Sequence, residues 1–304
     1  MDPLTQILAL LRPKALAWKP LEIAGDWAIR FPANTGVVFV FMIEGSADLA
    51  RTGHPPMRLE SGDYVLMVAP PVWTMRRGSA RAVDYLSFHG RPAPFTKPAA
   101  RPSAPRTRLV GGYFALDDAN APLLAPLLPP IVELRGGEAS AQRISDVLAL
   151  LGGEAMAARP GRSLVLERLL EIMLVEAIRD ETGAQAEARG GLLAGLADAQ
   201  VAKALRALHS DIRRDWTVAA LAAAARTSRS VLAERFRRIV GLSPIDYLRN
   251  WRMALAKDAL RSGRADIADV AFDCGYRSVS AFSTAFARTI GCPPGKYAAN
   301  ARRA

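Results

Sequence analysis

The side chains with the most chemistry to offer are hydroxyls and guanidinium groups that recur twice at matched spacing. Ser228, Arg229, Ser230, Glu234, Arg235, Arg237 and Arg238 form the first set. Arg277, Ser278, Ser280, Ala281, Ser283, Thr284 and Arg288 form the second. The hydroxyl and guanidinium groups among them donate to phosphate oxygens and to base edges, so the chemistry the sets suit is the reading of a nucleic acid. In the first set Arg237 and Arg238 stand nearer the phosphates. The second set has fewer charges and points to apolar and shape contact more than to affinity.

The elements that must position these residues form a tandem repeat between Thr217 and Pro294. One copy reads from Val218, Leu221 and Ala222 through Arg226–Ser228 to Phe236, Gly241 and Pro244. The other reads from Ile267, Val270 and Ala271 through Gly275–Ser278 to Phe286, Gly291 and Pro294. Leu221 and Val270 lie 49 positions apart, whereas Phe236 and Phe286, Gly241 and Gly291, and Pro244 and Pro294 each lie 50 apart. The one extra residue therefore falls in the turn of the second copy. Two short helices, a tight turn, and a Gly and Pro that end the second helix make a helix-turn-helix pattern, expected over 218–240 and 267–290. Small Ala side chains let the two helices of a copy approach closely. Ser at the start of each second helix caps a free backbone N–H, and that exposed end is the part that enters a major groove. A single copy could equally be an ordinary helical hairpin. Two copies with matched Phe, Gly and Pro in a basic segment favour DNA.

Residues from about 200 to 304 resemble the DNA-binding domain of AraC/XylS-type transcription regulators. The resemblance rests on the run from Ile267 through Gly275, Tyr276 and Phe282 to Phe286, and on the segment Pro244–Leu260, which matches the long helix joining the family's two motifs. It implies a sequence-specific regulator whose two reading helices enter successive major-groove faces of one duplex. RNA polymerase, a small-molecule effector and a second copy of the chain are further candidate partners.

Charge is divided to match. Residues 201–304 hold 19 Lys and Arg against 8 Asp and Glu, a surplus of 11 that equals the net charge of the whole 304-residue chain. The first 200 residues are neutral, with 21 of each sign. A basic domain joined to a neutral one implies a polyanion partner at one end, here double-stranded DNA. The two cysteines, Cys274 and Cys292, support neither a disulfide framework nor a zinc site. No secretion signal or membrane-length apolar run is evident, so the chain is expected to be cytoplasmic, with no membrane partner.

The neutral part reads as a short helix over 3–11, then many short strands over 17–114, among them Val37–Ile43, Ala47–Arg51, Met57–Leu59, Tyr64–Val68, Val83–Phe88 and Arg108–Phe114. Gly and Pro turns without intervening helices argue a β-sandwich or barrel, and Arg91–Pro105 reads as a surface loop. The spacing of Gly36, Glu44, Gly62 and Pro70 resembles a cupin barrel. Phe39, Phe41 and Trp73 stand where a metal-binding cupin needs donors, so neither a metal nor a cofactor is expected, and Glu44 is assigned to turn or edge hydrogen bonding. His54, His89 and His209 are scattered. Phe39, Phe41, Trp73 and Tyr85 are expected to line the barrel, as a filled core or as an effector pocket. Helices follow over 138–151 and 163–178; the second is apolar around most of its girth and suits burial against the barrel or a second subunit.

The expected fold class is α+β in two domains. A cupin-like sensing or dimerisation domain with a helical extension covers 1–182, a linker covers 183–195, and an all-α DNA-binding domain covers 196–304. The function expected is that of a sequence-specific transcription regulator that responds to a small molecule through the barrel, not that of an enzyme. A cupin-fold metalloenzyme with an appended DNA-binding domain and a non-specific architectural DNA binder are the alternatives.

Overall fold

The structure, a computed structural model, describes residues 2–85, 105–156, 159–179, 190–263 and 266–301. Its contacts fall into two compact units. One takes Pro13–Leu116 and Pro130–Glu181; the other gathers Met1–Arg12, Asp117–Pro129 and Thr182–Ala304.

The first unit is built on strands β1 (Lys14–Ala24), β2 (Trp27–Phe31), β3 (Val37–Glu44), β4 (Ser46–Arg51), β5 (Met57–Glu60), β6 (Tyr64–Val68), β7 (Trp73–Arg77), β8 (Val83–Asp84), β9 (Arg106–Ala115) and β10 (Ile131–Leu134). They form two five-stranded sheets, ordered β1-β9-β3-β6-β10 and β5-β4-β7-β2-β8. Pairing is antiparallel except between β2 and β8. Apolar residues of both sheets, including Val40, Met42, Leu49, Val65, Met67, Trp73, Met75 and Leu109, meet in one core. Gly45 makes the β3–β4 turn possible: its φ is +82°, and a Cβ there would stand 2.4 Å from the Arg106 carbonyl oxygen.

Helices α3 (Ala139–Met156) and α4 (Arg162–Arg179) complete this unit, and α4 packs on α3, β1 and β10. It buries Leu170, Met173, Leu174, Ala177 and Ile178, while Leu164, Val165 and Ile172 stay exposed.

Two details differ from the sequence reading. The expected strand Val83–Phe88 is described only at 83–84, and most of the loop expected over 91–105, with His89, lies outside the described residues. Phe39 and Phe41 do not face the inter-sheet core. Side chains alternate along a strand, and Val38, Val40 and Met42 hold the inward phase. The Phe39 ring lies on the other face, with centroids 6.2 Å from Tyr64 and 5.6 Å from Phe114.

The second unit is helical and discontinuous. It comprises α1 (Pro3–Leu11), α2 (Ala121–Leu124) with a following 3-10 turn, α5 (Gly191–Ala197), α6 (Ala199–Ser210), α7 (Val218–Ala225), α8 (Arg229–Val240), α9 (Pro244–Ser262), α10 (Ile267–Asp273), α11 (Val279–Ile290) and α12 (Pro294–Ala301). Helix α1 buries Ile7, Leu8 and Leu11 and packs on α2, α6 and α9. Residues 1–12 thus belong with the helices rather than ahead of the barrel. Residues 191–195, expected in the linker, are helical, with Leu192 and Leu193 buried.

Candidate nucleic-acid interface

Both helix-turn-helix copies form where the repeat places them. In the first, Thr217 caps α7 through a bond from the Ala220 N–H, and Ser228 caps α8 by accepting from the Val231 N–H. In the second, Asp266 caps α10 and Ser278 caps α11, accepting from the Ala281 N–H. Gly241 and Gly291 end α8 and α11 in left-handed backbone. The turn has three residues in the first copy (226–228) and five in the second (274–278): one is the extra residue of the sequence, the other is gained because α10 is one residue shorter than α7. Each second helix is anchored by an apolar stripe, Leu232, Phe236 and Val240 in α8, Phe282 and Phe286 in α11.

Burial of those stripes turns the other face outward. Ser228, Arg229, Ser230, Glu234, Arg237 and Arg238 are exposed on the first copy, and Arg277, Ser278, Ser280, Ala281, Thr284 and Arg288 on the second. Ser283 is half-buried. Two arginines of these sets are engaged within the unit. Arg235 donates to Asp198 at 2.6 Å, and Asp198 caps α6. Burial opposes ionisation of Asp198, but bonds from the Val201 N–H, Arg235 and the Gln200 N–H together hold its carboxyl below the usual range. Arg277 pairs with Asp215 at 2.7 Å, both well exposed.

Helix α9 joins the copies and carries what fixes them. Arg252 donates to the carbonyl oxygens of Ile212 (2.7 Å) and Arg214 (2.8 Å). Gly275, in left-handed backbone at φ +74°, sits so close that a Cβ would be 2.6 Å from Arg252 Nη2 and 2.7 Å from the Ile212 carbonyl oxygen. Arg213 also pairs with Asp273. Toward its other end, α9 receives the discontinuous segments. Arg12 pairs with Asp258 at 2.7 Å, and both carboxylate oxygens of Asp117 accept from Arg261, at 2.6 and 2.7 Å. This bond to Asp117 raises the Arg261 pKa. His209 is buried between Tyr247 Oη (2.6 Å) and Gln6 Oε1 (2.9 Å), and burial lowers its pKa to about 4, so it is neutral near pH 7. The sequence reading missed all of these clamps.

The β-unit holds a cavity of about 530 Å³ whose walls include Trp27, Phe31, Val38, Trp73, Met75 and Tyr85. Phe31 stacks on Trp73 at 4.0 Å and on Tyr85 at 5.1 Å between ring centroids. Trp73 and Tyr85 stand in the wall; Phe39 borders it, and Phe41 does not. Glu44 pairs with Arg108 at 3.6 Å on the surface. Among the described residues no three His, Cys, Asp or Glu side chains gather in a metal-binding group, and no helix is long and apolar enough to cross a membrane.

Comparison with known proteins gives this geometry its context. The cupin family pattern matches residues 2–183, and a helix-turn-helix domain pattern matches residues 221–300. A protein named as an AraC-like transcription regulator in Streptomyces lividans is 38% identical, covering 98% of this chain and 98% of its own. A second of that name, from Streptomyces antibioticus, is 36% identical over the same shares. The transcriptional regulator AlkR of Acinetobacter baylyi is 24% identical, covering 98% of this chain and 99% of its own. A cupin-like β-unit joined to a helical unit with two helix-turn-helix motifs defines a two-domain DNA-binding transcription regulator. The chain belongs to the AraC-like transcription regulators.

Proposed function

We propose that α8 and α11 read base sequence in the major groove and that the β-unit cavity receives a small-molecule effector which governs this reading. The observation that carries the proposal is the pair of matched outward faces, exposed and mostly polar, on two helices capped at the same position. Arg237 and Arg238 are assigned to phosphates, together with Arg288. Ser230, Ser280, Ala281 and Thr284 are assigned to base edges, and Arg229 and Glu234 flank them. Ser228 and Ser278 serve first as caps, and Arg235 acts through its bond to Asp198. The exposed Leu164, Val165 and Ile172 of α4 suit contact with a second copy of the chain, and RNA polymerase is the macromolecule such a regulator acts on at a promoter. The barrel in this reading senses and does not catalyse.

The test is salt-dependent binding of the full chain to its own upstream DNA and to scrambled DNA. Each lost phosphate contact flattens the slope of log K against log salt by roughly 0.9. Arg238→Ala should do so and weaken both DNAs alike. Thr284→Ala should leave the slope alone and narrow the difference between the two DNAs, by about 1–3 kcal/mol if it contacts a base. Equal loss on both DNAs for every variant would make the protein a non-specific architectural binder.

A further inference from the structure

Resting on the effector reading above, the cavity wall carries information about the effector's chemistry. Three strands cross the cavity side by side, and their register lines up Lys19 of β1, Gly111 of β9 and Val40 of β3 in one row. The next row is Leu21, Leu109 and Met42. Lys19 shares the inward phase of β1 with Leu21 and Ile23 and borders the cavity. It is the one charged side chain among the described residues of the wall, and among the described residues it has neither a hydrogen bond nor an ion pair. Half-buried at the cavity edge, and with no partner among the described residues, its ammonium is placed to meet an anion that enters.

Gly111 adds the second observation. It is mid-strand, where glycine weakens a sheet. Its backbone does not require glycine, since its φ is not positive. Nor does crowding: a Cβ would meet only the Phe39 carbonyl oxygen at 3.6 Å and Leu109 Cδ1 at 4.0 Å, ordinary contact distances. What the missing side chain leaves is room beside Lys19. We propose that the cavity takes an apolar molecule bearing a single anionic group, with Lys19 as the partner of that group and Gly111 as the residue that makes space for the adjoining apolar body. The Trp73–Phe31–Tyr85 stack supplies the wall for that body.

The test titrates the full chain with octanoate and 1-octanol, and with 1-naphthoate and 1-naphthol, by calorimetry and by the fluorescence of Trp27 and Trp73. A chain body and a ring body are thereby told apart. The better-fitting carboxylate should bind roughly fivefold tighter than its own alcohol. Lys19→Gln should erase that preference and leave alcohol binding in place. Gly111→Val should weaken carboxylate and alcohol alike by more than about tenfold while the melting temperature holds or rises, because a branched side chain suits a strand and fills the space. Alcohols that bind as well as carboxylates, with no effect of Lys19→Gln, would overturn the anionic assignment and leave the cavity reading intact. Absence of binding by all four probes, or binding unchanged in Gly111→Val, would overturn both.

Discussion

At the turn between its two helices the first helix-turn-helix copy places Arg226 in left-handed backbone, φ 55°, where the second places Gly275, φ 74°. The backbone plan is the same, and the residue rule differs because the surroundings differ. Arg226 is exposed. Gly275 is pressed against the Ile212–Arg213 backbone and the Arg252 guanidinium. The outward charge differs in the opposite sense: Arg229, Arg237 and Arg238 on α8 against Arg288 alone on α11. The first copy is thus the more cationic surface, and the second is the more tightly fitted part.

Substitution at the two turns should separate the copies most. Gly275→Ala combines left-handed strain with a Cβ inside contact distance of two carbonyl oxygens, and should destabilise the helical unit by about 3 kcal/mol. Arg226→Gly should change stability by less than about 1 kcal/mol, relief of strain offsetting added chain entropy. Denaturant unfolding of the two variants measures this, and equal effects would mean that the second turn is not specially confined.

A smaller effect is expected where the first copy has its own tie. Arg235→Ala removes the partner of buried Asp198 and should destabilise by about 1 kcal/mol, discounted because the guanidinium is partly in solvent. The matching position of the second copy is Ala285, which has no such tie to lose. Restoration of stability on combining Arg235→Ala with Asp198→Asn would identify the ion pair itself as the source. The smallest change belongs to Arg277→Ala. Both partners of its pair are more than two-thirds exposed, so stability should move by less than about 0.5 kcal/mol in thermal unfolding.

The repeat was legible in the sequence because everything that defines it is local. A cap, a turn and an apolar stripe lie within a few residues of one another, and the second copy checks the first at an offset of 50. The phase of β3 was not legible, because Val37–Ile43 is apolar on both faces and alternation leaves no mark. Val38, Val40 and Met42 could be told from Phe39 and Phe41 only by their neighbours. Nor could the sequence announce that Arg235 serves Asp198, 37 residues away, or that Lys19, Gly111 and Val40 form a row. Cross-strand register depends on pairings that are distant along the chain. The packing of α1 into the helical unit was not legible for the same reason, since α1 reads as a plain amphipathic helix while its partners α2, α6 and α9 all lie far along the chain.

That discontinuity bears on the order in which the protein becomes itself. Arg12 and Asp258 are 246 positions apart, and Gln6 and His209 are 203. During synthesis α1 leaves the ribosome long before α6 and α9 exist, and its Ile7, Leu8 and Leu11 stay without their native cover until both have been made. Helices α8 and α11 can form early from local contacts, but the unit that holds them closes only when the two distant stretches meet. Contacts of such long sequence separation slow folding more than they weaken the product. A lesion in α1 should therefore surface as slow or incomplete maturation of the helix-turn-helix unit, far along the chain from where it was made.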